Sequence, residues 1–202
     1  MERFCSIAML PFKERFLAFL GRMLSVTLGI VITFTVQGIL DRKRDERAVH
    51  SALELVRTEL AANLDDIEIL TDYFRQEQAS AQYLSKHKKD LKKCPVDSVN
   101  YHVGIVNADV SVAFSHDALE LLKMSSLFPK IKDNDLSMKV IRAYDACELM
   151  VSNVNRHVNN RDSSPGGAVD WLLSRQADFT WFTDPTDVEE AVKAIDAFLL
   201  RQ

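Results

Sequence analysis

The residues best suited to chemistry are His116, Asp117 and Glu120, an imidazole and two carboxylates within five positions of one another. On one short helix they form the kind of group a general base is drawn from. They also fall in the first turns of that helix, where acids stabilise its dipole, and the spacing fits this structural role better. The remaining histidines, His50, His87, His102 and His157, make no H-x3-H or H-E-x-x-H pattern, so no metal site is signalled. Asp133-Asn134-Asp135 resembles the start of a calcium loop but lacks its glycine and terminal glutamate. No glycine-rich phosphate loop or nucleophile elbow occurs. Cys5, Cys94 and Cys147 are odd in number and form no C-x-x-C, which argues against a disulfide framework. Trp171, Phe179, Trp181 and Phe182 cluster near one loop and read as core packing, with a ligand box as the alternative. The pattern calls for no catalytic residue, no metal and no cofactor; a site assembled from distant residues is the one catalytic route left.

The elements that would position any site are dominated by the stretch 16–40, FLAFLGRMLSVTLGIVITFTVQGIL. Met23 to Leu40 carries no charge, and as a helix it is about 27 Å long. With the preceding turns from Phe16 it reaches the roughly 30 Å of a bilayer core. Arg22 would cost about 2.5–3.5 kcal/mol at the bilayer centre, which places it near an interface, where it can snorkel. A cleaved signal peptide is the rival reading, but DRKRDER after Leu40 is no small-residue cleavage site. Basic residues on the two sides nearly balance, so the positive-inside rule fixes no orientation. Gly29, Thr33 and Gln37, four apart, are either a pairing surface or ordinary lipid-facing residues.

Beyond the anchor, Val49, Leu53, Val56, Leu60, Asn63, Ile67, Leu70 and Phe74 recur at alternating spacings of four and three. This is a heptad seam, and the absence of Pro or Gly from Ile39 to Lys93 makes anchor and seam one continuous helix. Two readings stand. The stripe is either a coiled-coil interface, with Asn63 fixing register, or it packs on helices of its own chain, with Asn63 bonded to a neighbouring backbone.

The Gly29 region, the charged exit IVITFTVQGILDRKRDER and the helix SALELVRTELAANLDDI together resemble a family of bacterial single-span membrane proteins of unknown function. That family reads G-I-L-I-A-L-Q in its anchor and L-x-x-E-L-x-x-N-L in the next helix. Gly29, Ile30, Ile32, Glu59, Leu60, Asn63 and Leu64 fall on matching positions, whereas Arg22 and Ile39 depart from the pattern. FSHDALELLKMSSLF is similar to the family's A-x-x-x-L-K-x-S-G-x-L stretch through Ala118, Leu122, Lys123 and Ser125, with the Gly replaced. The resemblance covers about two thirds of the chain and implies a membrane anchor and a helical domain, with no known activity.

The expected organisation is a flank over 1–15, a transmembrane helix over 16–40, a long stalk helix over 41–93 and a helical domain over 94–202 packed on it. The basic run SKHKKDLKK, 85–93, suits a solvated helix C-terminus, or contact with an anionic partner or lipid headgroups. Pro95 breaks the helix, and VDSVNYHVGIVNADVSV reads as an irregular connection. Ser115 is expected to cap one short helix, Asp135 to cap a long one over about 136–159, and Thr186-Asp187-Val188-Glu189 to form a capping box. The stripes of the stalk and of the 136–159 helix are expected to pack antiparallel.

The fold class expected is all-α and bundle-like. A net charge of −4 excludes an electrostatic nucleic-acid binder. The partners expected are the lipid bilayer, a second copy through the stalk helix and a protein partner, at the inner (plasma) membrane. The function expected is a membrane-anchored interaction or scaffolding module. A single-span sensor of a small ligand and a membrane-bound hydrolase using His116 are the alternatives.

Overall fold

The computed structural model describes residues 12–161, 167–174 and 183–201; the side chains of 12–22, Ser25 and Val26 lie outside the description. The described chain is all-helical. Helix α1 runs Phe12–His87, α2 Val96–Val106, α3 Asp117–Met124, α4 Asn134–Asn159, α5 Gly167–Ser174 and α6 Thr186–Leu199. Two units divide at Ala48 and Val49.

In the first unit, Met23, Leu24, Leu28, Ile30, Val31, Ile32, Phe34, Val36, Ile39 and Leu40 are all 49–71% exposed. The hydroxyls of Thr27, Thr33 and Thr35 each donate to the carbonyl four residues back, at 2.7–2.9 Å. Nothing lies within 4 Å of a side chain placed at Gly29 or Gly38. Among the described residues no helix is long and apolar enough to cross a membrane. Of the stretch 16–40, the side chains of 16–22, Ser25 and Val26 lie outside the description.

The second unit is built on the later part of α1. Val49, Leu53, Val56, Leu60, Asn63, Ile67, Leu70 and Phe74 are all at most 4% exposed, and Ala81 and Leu84 carry the stripe further. A stripe of this register is dictated by the 3.6-residue helical period, and each large side chain so buried is worth about 1.5–3 kcal/mol. From Val49 to Ile67 the stripe meets Leu119 and Leu122 of α3, Val140 and Cys147 of α4, and Val188 and Ile195 of α6. From Leu70 to Leu84 it meets Val106, Val154 and Leu172. The predicted seam is therefore occupied by helices of its own chain.

The direction of packing differs from the expectation. Tyr144 of α4 reaches Glu59, and His157 reaches Glu77, so residue numbers rise together along both helices and α4 runs parallel to α1. Parallel neighbours need a long return, and the segment from α2 to α3 supplies it. Four contacts step backwards along α1: His102 to Ser80, Ala108 to Tyr73, Ser115 to Asn63 and Ala118 to Glu59. Helix α6 then descends antiparallel to α4, with Asp196 bonded to Arg57 at 2.9 Å.

The connection after Pro95 is likewise more ordered than expected. Val96–Val106 is helical, with Asp97 in its first turn, and only 108–116 is without regular secondary structure. Two caps move as well. Asp133, not Asp135, accepts the Leu136 amide and starts α4. Thr186 is the first residue of α6 rather than its cap, and the Asp184 carboxylate takes its amide and its hydroxyl.

Candidate functional site

Three polar groupings interrupt the apolar core, and α1 contributes to two of them. At the first, the Glu59 carboxylate accepts from Tyr144 Oη at 2.5 Å, Ser115 Oγ at 2.7 Å and the Ala118 amide at 3.0 Å. One turn on, Asn63 Nδ2 donates to the Ser115 carbonyl and Asn63 Oδ1 accepts the Ser115 amide. Ser115 thus does not cap α3 with its own side chain; Glu59, reaching across from α1, accepts an N-terminal amide that its helix leaves open. The seam residue Asn63 is bonded to a neighbouring backbone and the seam around it is buried.

Burial alone would raise the Glu59 carboxyl, but the hydrogen bonds from Tyr144, Ser115 and the α3 amides outweigh it and hold it below the usual carboxylate value. The same pair acts oppositely on its partners. Burial first, then the Glu59 bond and charge, raise the Tyr144 phenol. Burial and then Glu59 push the Cys147 thiol up to about 12, so it is an inert buried thiol. Cys94 and Cys147 are both free.

The second grouping centres on a fully buried carboxylate. Glu77, 0% exposed, accepts from Arg161 Nη2 at 2.8 Å and from His157 Nε2 at 2.9 Å. A guanidinium and an imidazole thus converge on one carboxylate. Arg161 Nη1 and Tyr73 Oη both donate to the Ala108 carbonyl, so the same network pins the start of the extended segment. Burial and the Glu77 charge raise the Tyr73 phenol. Phe74 and Trp171 pack on the His157 ring at 5.1 and 4.7 Å between centroids.

The third is a cleft of about 350 Å³ between the extended segment, α3 and α4. Val112, Phe114 and Val151 give it apolar walls, and Glu120, Lys123, Asp145 and Glu148 give it a charged rim. A smaller opening of about 340 Å³ lies between Met150 and Asn153 of α4 and the start of α6.

His116 and Glu120 face each other at 3.6 Å, but their side chains are 58% and 61% exposed. Ser115 Oγ is committed to Glu59, so no hydroxyl–imidazole pair forms there. Among the described residues no group of His, Cys, Asp and Glu could hold a metal ion. Of the aromatic cluster only Trp171 is described; Phe179, Trp181 and Phe182 lie outside the described residues.

Glu77, His157 and Arg161 escaped the sequence reading, although a signal for two of them is present. Continued past Phe74 by three, four and three, the α1 register reads Glu77, Ala81 and Leu84. The α4 register from Leu136 through Val140, Ala143, Cys147, Met150 and Val154 reaches His157. An acid and an imidazole on the apolar registers of two helices are candidates to meet. Glu59 and Ala118, taken from separate stretches of the sequence, meet in one hydrogen bond. No protein-family model, curated protein or solved structure matches this chain.

Proposed function

We propose that this chain is a membrane-anchored interaction module, in which the apolar part of α1 enters a bilayer and the helical unit from Val49 onward engages a protein partner. The observation that carries the anchor is the run of ten large apolar side chains, all 49–71% exposed, between Met23 and Leu40. A stretch that leaves every large side chain uncovered needs an apolar surrounding from outside the chain. The threonine hydroxyls within it are satisfied by their own helix, which is what a hydrocarbon environment demands. The charged DRKRDER that follows suits a headgroup layer. The hydrolase reading would place its chemistry on His116 and Glu120, whose side chains are 58% and 61% exposed and pair on the surface.

The resemblance to the single-span family gains a physical rationale at one point. Ser126 stands where that family carries Gly, and it adopts φ 56°, the left-handed region in which glycine is favoured.

Alkaline carbonate extraction of cells expressing the full chain tests the anchor. Retention in the membrane pellet is expected, with loss of retention in an Ile32→Arg/Phe34→Arg variant. Each arginine costs about 2.5–3.5 kcal/mol at mid-bilayer, enough together to defeat insertion. Release of the unmodified chain by carbonate would refute the anchor.

A further inference from the structure

The segment 108–116 belongs to no helix, and its burial pattern is that of an extended chain. Its burial alternates with period two: Ala108, Val110, Val112 and Phe114 are half-buried, while Asp109, Ser111, Ala113 and Ser115 are exposed. Val110 and Val112 pack on the core beneath α5, and Phe114 on the core beneath α3. Both ends are fixed. At one, the Ala108 carbonyl accepts from Tyr73 and Arg161; at the other, both backbone groups of Ser115 are bonded to Asn63. Between these pins, the amides and carbonyls of 109–114 make no hydrogen bond with any described residue.

A rigid strand with unpaired backbone groups is a template for strand addition, and pinning removes the ordering cost that a loose loop would incur on binding. Here the template borders the cleft of about 350 Å³, whose far wall is α4 from Tyr144 to Val151. That wall presents Asp145 and Glu148, both exposed and neither in an ion pair with any described residue. The opposing rim adds Glu120, paired with His116, and one cation, Lys123. The rim is acidic on balance, and its floor is apolar through Val112, Phe114 and Val151.

We infer that the strand 109–114 and the acidic wall of α4 together form a docking groove for an extended peptide in which basic and apolar side chains alternate. The peptide backbone pairs with the strand, its apolar side chains enter the cleft and its basic side chains meet Asp145 and Glu148. A second copy of this chain is a poorer occupant, because strand-to-strand pairing would set two acidic rims against each other. This inference deepens the interaction half of the proposed function and rests on it. It does not depend on bilayer insertion, so its failure and that of the anchor are separable.

The test is an amide-resolved NMR titration of the full chain in detergent micelles with the peptide Ac-Lys-Val-Lys-Val-Lys-NH2. Three comparisons accompany it: the Glu-Val-Glu-Val-Glu counterpart, a form N-methylated at alternate residues, and an Asp145→Lys/Glu148→Lys variant of the protein. Expected are shifts at 109–114 and 144–151, and binding weakened about tenfold or more in each comparison, equivalent to about 1.4 kcal/mol. No shift at 109–114 with the basic peptide up to about 5 mM, beyond the range of useful affinity, would overturn the inference. So would equal binding by the N-methylated form, which would show charge contact without strand pairing. Concentration-dependent protection of the 109–114 amides without peptide would overturn it too, in favour of self-pairing.

Discussion

Removing Glu77 strands a guanidinium in the interior. Its side chain is 0% exposed, that of Arg161 is 9% and that of His157 is 3%, so each has little solvent access to replace a lost partner. Glu77→Leu takes away the carboxylate that both Arg161 Nη2 and His157 Nε2 engage. Breaking a buried pair from one side costs about 3–5 kcal/mol, and Arg161→Met, which strands the carboxylate, falls in the same range. The double variant is the discriminating measurement. With both charges gone the desolvation cost vanishes with the Coulomb gain, and what remains is roughly 1–2 kcal/mol for the hydrogen bond that the His157 ring loses. The coupling energy is then at least about 4 kcal/mol. Urea or thermal unfolding in micelles, read by Trp171 fluorescence in a Trp181→Phe background, measures it, because Trp171 packs on the His157 ring. For a unit of this size each single change lowers Tm by roughly 10 °C. Singles that cost under about 1 kcal/mol, or a double whose cost equals their sum within about 0.5 kcal/mol, would refute the reasoning.

Two further outcomes follow from particular residues. Ser126→Gly relieves a left-handed backbone at the end of α3 and is expected to stabilise the helical unit by about 0.5–1 kcal/mol, measured by the same unfolding assay. No gain, or a loss, would mean that the Ser126 side chain compensates for its backbone. Glu59 sets a pH dependence. Its folded pKa lies below its unfolded value, so the folded state binds fewer protons and the contribution is present above the ordinary carboxylate range, then lost as pH falls through the folded pKa. Comparing Glu59→Gln with the unmodified chain between pH 7 and about pH 3 should therefore show the gap in stability closing on acidification. A gap that widens toward acid would contradict it.

The core of the helical unit was legible because a heptad register imposes itself on the sequence: every position from Val49 to Phe74 picked out by spacing is buried. Helix α2 was not. Val96, Val99, Tyr101, Val103, Ile105 and Val106 have strand-like propensities, and Gly104 weakens a helix; the packing of Val106 and His102 on α1 overrides both. Helix direction was also hidden, since a stripe records which face is apolar and not which way its partner runs. The caps failed for a related reason. A local motif such as Ser115 ahead of α3 assumes a local donor–acceptor pair, whereas Glu59, 59 residues before Ala118, provides the acceptor. The polar core pair at Glu77 and His157 could have been found by extending each register by one more step.

The parallel arrangement of α1 and α4 also carries a consequence in time. The stripe from Val49 to Phe74 leaves the ribosome first, but Tyr144, Val188 and Ile195, which cover it, lie far downstream. Roughly 110 residues separate Phe74 from Thr186, which at about 5–20 residues per second is a delay of roughly 6–22 s. Throughout that interval a helix-length apolar stripe is uncovered immediately behind an apolar segment of similar length. Biosynthesis has to treat the two differently, delivering the first and shielding the second. What distinguishes them in the nascent chain is charge: Met23 to Leu40 carries none, whereas the second stripe shares its helix with Glu54, Arg57, Asp65, Asp66 and Glu68 on the opposite face.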